Sequence, residues 1–311
     1  MSQKTRYSYS KKIEFMYDNT QTEFFKISSL LIDNKNNIKK MDGVYFPIRY
    51  NANYSIMLWD YIGAYLKLRR VYEKLIPIFF YFDNLRIDTT PWPPMVKDFI
   101  SFFNAEVIDI DKESFLFEKV ILVKGCQPPI PREVYISNDW IHEELNDEVK
   151  QWWISTTKEV VDFFKPTQNI NKNNNYITRS KINKTYSGLK NSWEESRLHS
   201  FLYDEYLDEK IKENGFNVIE TTGMGFFDQI NIGHGSKVYS TIDGSGLVNA
   251  FWTEKNTPII CFKVNEKYTK YNFYWEEMFE SLDKKIQVVS LEKMSENLGC
   301  KRIVKTLQKF I

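Results

Sequence analysis

The chain has 311 residues, 42% of them hydrophobic, which is enough for two ordinary domains or one large one. Its 27% charged residues balance to a net charge of +1, so it lacks the basic excess that a nucleic-acid partner would demand. The apolar runs are too short to span a bilayer and Met1-Ser-Gln-Lys does not open a signal peptide, so a cytoplasmic protein without a transmembrane segment is expected, with peripheral membrane association left open.

Residues 1 to about 40 are polar and read as an entry strand or two with turns. Gly43–Arg49 reads as a strand, and an amphipathic helix follows over Ser55–Glu73, where Leu58, Tyr61, Ile62, Tyr65, Leu66 and Leu68 recur at helical spacing. The apolar run Ile76–Phe82 is a buried strand. A helix begins after the prolines at Trp92, and Glu106–Ile110 and Lys119–Val123 are strands. A long helix over Asn138–Phe164 ends at Lys165-Pro166, because proline cannot continue it. The polar tract that follows, rich in asparagine, is the linker candidate.

A second alternation opens with the strand Tyr176–Arg179. Helices are expected near Glu194–Leu198 and Tyr206–Asn214, then a strand at Phe216–Glu220 and a short helix at Phe226–Ile232. The Val238 strand, a Gly-rich turn, the Ile259 strand, the Ile286–Ser290 strand and a helix from Glu292 complete the chain. Alternating strands and helices predict an α/β protein of two Rossmann-like domains facing a cleft. The expected division is an acceptor-side domain over 1–165, a linker over 166–175 and a nucleotide-sugar-binding domain over 176–311 with a closing C-terminal helix.

The most informative segment is Ser240–Trp252, where an apolar strand enters the turn Asp243-Gly-Ser-Gly246 and a helix-like segment follows. Small residues let a backbone approach a ligand, and a helix start offers N–H groups to a phosphate. The same turn can also serve only to reverse the chain. Gly233-His-Gly-Ser-Lys237 looks like part of a P-loop, but the spacing is wrong and Val238 replaces the needed hydroxyl, so a plain turn is expected there. Cys126, Cys261 and Cys300, like His142, His199 and His234, are scattered without metal-type spacing, and no metal site is expected. The 16% aromatic content fills large cores or supplies rings for a sugar cleft.

Several motifs occur in one order: Tyr176-Ile-Thr-Arg179, Asn191 with Glu194 or Glu195, Gly215-Phe-Asn-Val218, Asp228-Gln229-Ile230 and Asp243-Gly-Ser-Gly-Leu-Val-Asn249. In the first half, Asn53-Tyr-Ser-Ile-Met-Leu-Trp-Asp60 is a fainter match. In this order they resemble glycosyltransferase family 61, the DUF563-type enzymes, over roughly residues 43–262. The resemblance implies a GT-B-like pair of domains and an inverting transfer of sugar from a nucleotide sugar to a glycan or glycoprotein, in surface polysaccharide or glycan synthesis. It implies no permanently bound cofactor and no required metal. Two family histidines are replaced, by Asp243 and by Ile56, which keeps a non-catalytic nucleotide-sugar- or glycan-binding homologue as the alternative.

On this reading Arg179 grips phosphate, Gly244, Ser245, Gly246 and Leu247 cradle the pyrophosphate, and Asn191 and Asn249 complete the donor side. Asn249 either bonds a phosphate or ribose or caps the turn. Asn53 and Tyr54 stand on the acceptor side. Asp60 is the base candidate or an ordinary helix carboxylate. Asp243 is the second candidate, and beside a pyrophosphate it is either a metal ligand or pointed away. The abundance of Lys, Asn and Ile points to an AT-rich bacterial or viral genome.

Overall fold

A computed structural model describes residues 8–15, 38–49, 57–81, 94–109, 114–122, 147–166, 172–178, 205–221, 223–263, 269–291 and 294–311. The chain is mixed α/β, and its contacts divide it into two units, Met1–Val160 and Val161–Ile311.

The first unit holds a five-stranded parallel sheet of β1 (Ser8–Phe15), β2 (Ile38–Arg49), β3 (Leu75–Tyr81), β4 (Glu106–Asp109) and β5 (Ser114–Leu122), in the order β1-β5-β2-β3-β4. After β2, the segment Met57–Gly63 winds as a π-helix and passes directly into α1 (Ala64–Leu68). This segment lies inside the helix expected over Ser55–Glu73. A π-helix of this length is rare. It is held from outside by Trp59, whose indole N–H donates to Thr157 Oγ1 at 3.1 Å, while beyond it Lys67 donates to Ser155 Oγ at 2.6 Å and Arg70 pairs with Glu159 at 2.7 Å. Those partners lie on α3 (Asp147–Phe163), while α2 (Pro94–Phe103) leads into β4.

The second unit contains β6 (Asn173–Thr178), β7 (Asn217–Glu220), β8 (Ser236–Ile242), β9 (Ile259–Lys263) and β10 (Ile286–Ser290). They form a parallel sheet in the order β10-β9-β8-β6-β7. Burial follows position. All five residues of β9 are buried, as are six of the seven in β8, whereas the edge strands β7 and β10 are largely half-exposed. A central parallel strand is covered on both faces and needs a nearly continuous apolar run. Tyr176, Val238, Ile242, Ile260 and Phe262 point to one face, where Leu207 and Ile211 of α4 (Glu205–Glu213) and Ile303 and Leu307 of α7 (Glu296–Leu307) close the core. The opposite face carries Tyr239 and Thr241. Around it lie α5 (Phe226–His234), the 3-10 helix Ser245–Trp252 and α6 (Thr269–Ser281).

Strand β6 begins at Asn173, inside the tract expected to be a linker. Asparagine is tolerated there because its polar groups are satisfied. Asn175 donates to Ser236 Oγ at 2.9 Å and to the Ile232 carbonyl at 3.3 Å, and its Oδ1 accepts from Asn217. Helix α6 has no counterpart among the elements expected from the sequence, since its Tyr- and Phe-rich run carries little amphipathic signal. Within the Gly233–Lys237 stretch, Gly235 alone makes the turn from α5 to β8, a plain helix-to-strand connection as expected.

Three helices end in the same way. Asn104 after α2, Gly215 after α4 and Asp283 after α6 all have positive φ, at 47°, 74° and 57°. The next residue's N–H returns to a carbonyl five residues back: Ala105 to Ile100, Phe216 to Ile211 and Lys284 to Phe279. This left-handed cap stops the helix and turns the chain into β4, β7 and β10 in turn.

Candidate site at the carboxyl ends of β6 and β8

From β6 the chain crosses to β7 on one side, and from β8 it crosses to β9 on the other. The neighbours β6 and β8 therefore flank a topological switch point, the place where open parallel sheets bind ligands. Strand β6 ends at Thr178, and β8 ends at Ile242, directly before Asp243 and Gly244.

The turn is built around Gly244, at φ 136° and ψ −162°, a conformation that favours glycine. Asp243 is tied to the sheet by its N–H, which donates to the Phe262 carbonyl at 2.9 Å. The Gly244 carbonyl accepts from the Leu247 N–H at 2.9 Å, which closes the first bond of the 3-10 helix. The N–H groups of Ser245 and Gly246 precede that bond and have no partner within the helix. N–H groups at such a position can bond an anion.

The rest of the 3-10 helix is fixed from several sides. The Tyr239 hydroxyl donates to the Gly246 carbonyl. Gly233 of α5 lets the two helices touch, because a Cβ there would stand 2.0 Å from the Asn249 carbonyl oxygen. Asn249 is fully buried, and its amide donates to Gln229 Oε1 at 3.2 Å while Gln229 donates to the Met224 carbonyl at 3.3 Å. This chain of amides links the 3-10 helix to the loop after β7. Asn249 Oδ1 has no hydrogen-bond partner. The Trp252 indole N–H donates to the Phe164 carbonyl at 2.7 Å, and Phe226 meets the Phe164 and Trp252 rings edge-on at 4.7 and 5.9 Å. At the far end the Lys284 ammonium donates to the Phe251 and Thr253 carbonyls, and burial lowers its pKa to about 8.

The structure thus gathers Asp243, Gly244, Ser245, Gly246, Leu247 and Asn249 into one turn and helix of the second unit, with Asn249 as an interior brace. Leu247 is buried, and its N–H is spent within the helix. Asp60 occupies the fourth position of the π-helical segment in the first unit. Arg179, Asn191, Asn53 and Tyr54 lie outside the described residues. Tyr239, Gln229 and Lys284 also support the turn and its helix. For Tyr239 and Lys284 the linear pattern carries no such signal, while Gln229 stands in the Asp-Gln-Ile motif without a visible partner. Among the described residues no group of three or more His, Cys, Asp or Glu is placed to hold a metal, and no helix is long and apolar enough to cross a membrane. No protein-family model matches the chain, and no curated protein is significantly similar to it.

Proposed function

We propose that the chain is an inverting glycosyltransferase that moves a sugar from a nucleotide-sugar donor to a glycan or glycoprotein acceptor. The observation that carries this reading is the switch point between β6 and β8, with a Gly-Ser-Gly turn and two N–H groups free of helical bonds at its rim. Open parallel sheets bind ligands at that place, and oriented N–H groups there favour an anion. The diphosphate of the donor would lie against Ser245 and Gly246, with the Arg179 guanidinium neutralising its charge. The acceptor hydroxyl oxygen attacks the anomeric carbon opposite the leaving nucleoside diphosphate. The new C–O bond forms as the bond to phosphate breaks, which inverts the centre. The hydroxyl proton passes to a base, for which Asp60 is the first candidate and Asp243 the second. A GT-B-like arrangement of the two units belongs to this proposal.

A thermal-shift panel of UDP, GDP, CDP and CMP sugars on wild type and Arg179→Ala tests it. We expect one nucleotide class to stabilise the wild type and to lose that effect in the variant. No stabilisation by any of them overturns the proposal. The second reading, a non-catalytic binder, is favoured by Ile56 and Asp243 standing where the family carries histidine. It predicts the same binding without turnover, whereas the transferase reading predicts turnover that Asp60→Asn lowers by about 100-fold or more.

A further inference from the structure

The left-handed caps described above have a shared logic with one exception. After Asn104 comes Ala105 and after Gly215 comes Phe216, and a hydrophobic residue at this place usually packs back onto the helix it terminates. After Asp283 comes Lys284, which is only 8% exposed. Its ammonium reaches the Phe251 and Thr253 carbonyls at the C-terminal end of the 3-10 helix. The lowered pKa has burial as its cause, and among the described residues no carboxylate pairs with the ammonium, yet at pH 7 the charged form still dominates. A buried ammonium without a counter-ion costs stability, and an apolar residue at the same place would cost less. Where a chain keeps such a group, a functional requirement is the usual reason.

The 3-10 helix supplies that requirement. It has eight residues, whereas runs beyond three or four are uncommon because the hydrogen-bond geometry is poor. Its N-terminus carries the Ser245 and Gly246 N–H groups. A cation on its C-terminal carbonyls neutralises the negative end of the dipole and holds the helix in register from behind.

We propose that Lys284 is a positioning residue for anion binding at the Asp243–Gly246 turn, holding the C-terminal carbonyls of the 3-10 helix so that the N–H groups at its other end stay aimed at the ligand. The proposal rests on the reading of that turn as a nucleoside diphosphate site. Lys284 touches no substrate in it, and Tyr239 and Gln229 brace the same helix from its flanks.

The test is calorimetric titration of the full chain with UDP, GDP and CDP, for wild type, Lys284→Met, Lys284→Gln and Lys284→Arg, with each melting temperature measured without ligand. For the diphosphate that the wild type binds, Lys284→Met is expected to weaken affinity by about tenfold or more while the melting temperature stays equal or rises. Lys284→Arg is expected to retain affinity within about threefold, and Lys284→Gln to lose it as Met does. Affinity falling only in step with melting temperature would reduce Lys284 to a structural residue. Unchanged affinity in folded Lys284→Met overturns the proposal and leaves the nucleotide site standing. If Lys284→Met fails to fold, the Gln and Arg variants decide, and equal affinities in the two overturn it. A wild type that binds none of the three overturns the site reading and this role together.

Discussion

Gly244 and Lys284 show how much of the candidate site rests on single residues. Gly244 sits at φ 136°, which side-chain-bearing residues rarely adopt. Gly244→Ala is expected to cost about 1–2 kcal/mol, read as a lower urea midpoint with an unchanged slope. Lys284 leads to a pH prediction. Its folded pKa of about 8 lies below the ordinary lysine value of 10.5. Between these values the unfolded chain binds a proton that the folded chain does not, so folding stability rises with pH across the window. The penalty for the buried charge is complete below about pH 8 and relieved above about pH 10.5. It amounts to on the order of 3 kcal/mol. Wild type minus Lys284→Met, measured by denaturant melts from pH 7 to 10.5, is expected to isolate this slope. A flat difference would show that the side chain keeps its proton affinity on folding.

At the scale of elements, the packing of α5 on the 3-10 helix and the cap of α6 give separate predictions. A methyl group at position 233 would meet the Asn249 carbonyl oxygen at 2.0 Å, so Gly233→Ala must push the helices apart. We expect a loss of about 1–3 kcal/mol in urea unfolding, as overpacking of a tight contact produces. Asp283→Gly works in the opposite direction. It relieves a left-handed conformation at φ 57° and gives up only an exposed pair with Lys255. A net gain of roughly 0.5 kcal/mol is expected, visible as a raised melting temperature. Part of this level was legible in advance. The β10 strand falls on its expected residues because Ile286, Val288 and Val289 are β-branched and apolar in one short run. Helix α6 and the start of β6 were not legible: α6 lacks a clear apolar stripe, and the asparagines of β6 look like linker until Ser236 and Asn217 are brought beside them.

At the scale of the whole chain, each of the two units contains a five-stranded parallel sheet. The second unit has its own core, with Leu207, Ile211, Ile303 and Leu307 closing one face of its sheet. A fragment spanning residues 161–311 is therefore expected to fold alone and melt in one cooperative transition by circular dichroism. A broad, non-cooperative melt would show that this sheet depends on the first 160 residues.

The sequence alone determined the α/β class, because strand-like apolar runs alternate with helical patterns through both halves. It also marked the Gly-Ser-Gly turn, since small residues between a strand and a helix start are a local signal. Tertiary structure decided strand order, and with it the switch point that makes β6 and β8 neighbours. Order arises from packing between segments far apart in the chain, so no local pattern encodes it. The same holds for the roles of single side chains. Asn249 became a brace because Gln229 meets it from α5, and Lys284 became a clamp because the turn after α6 delivers it to the far end of the 3-10 helix. A polar side chain in a sequence declares what bonds it can make, and only the fold supplies the partner.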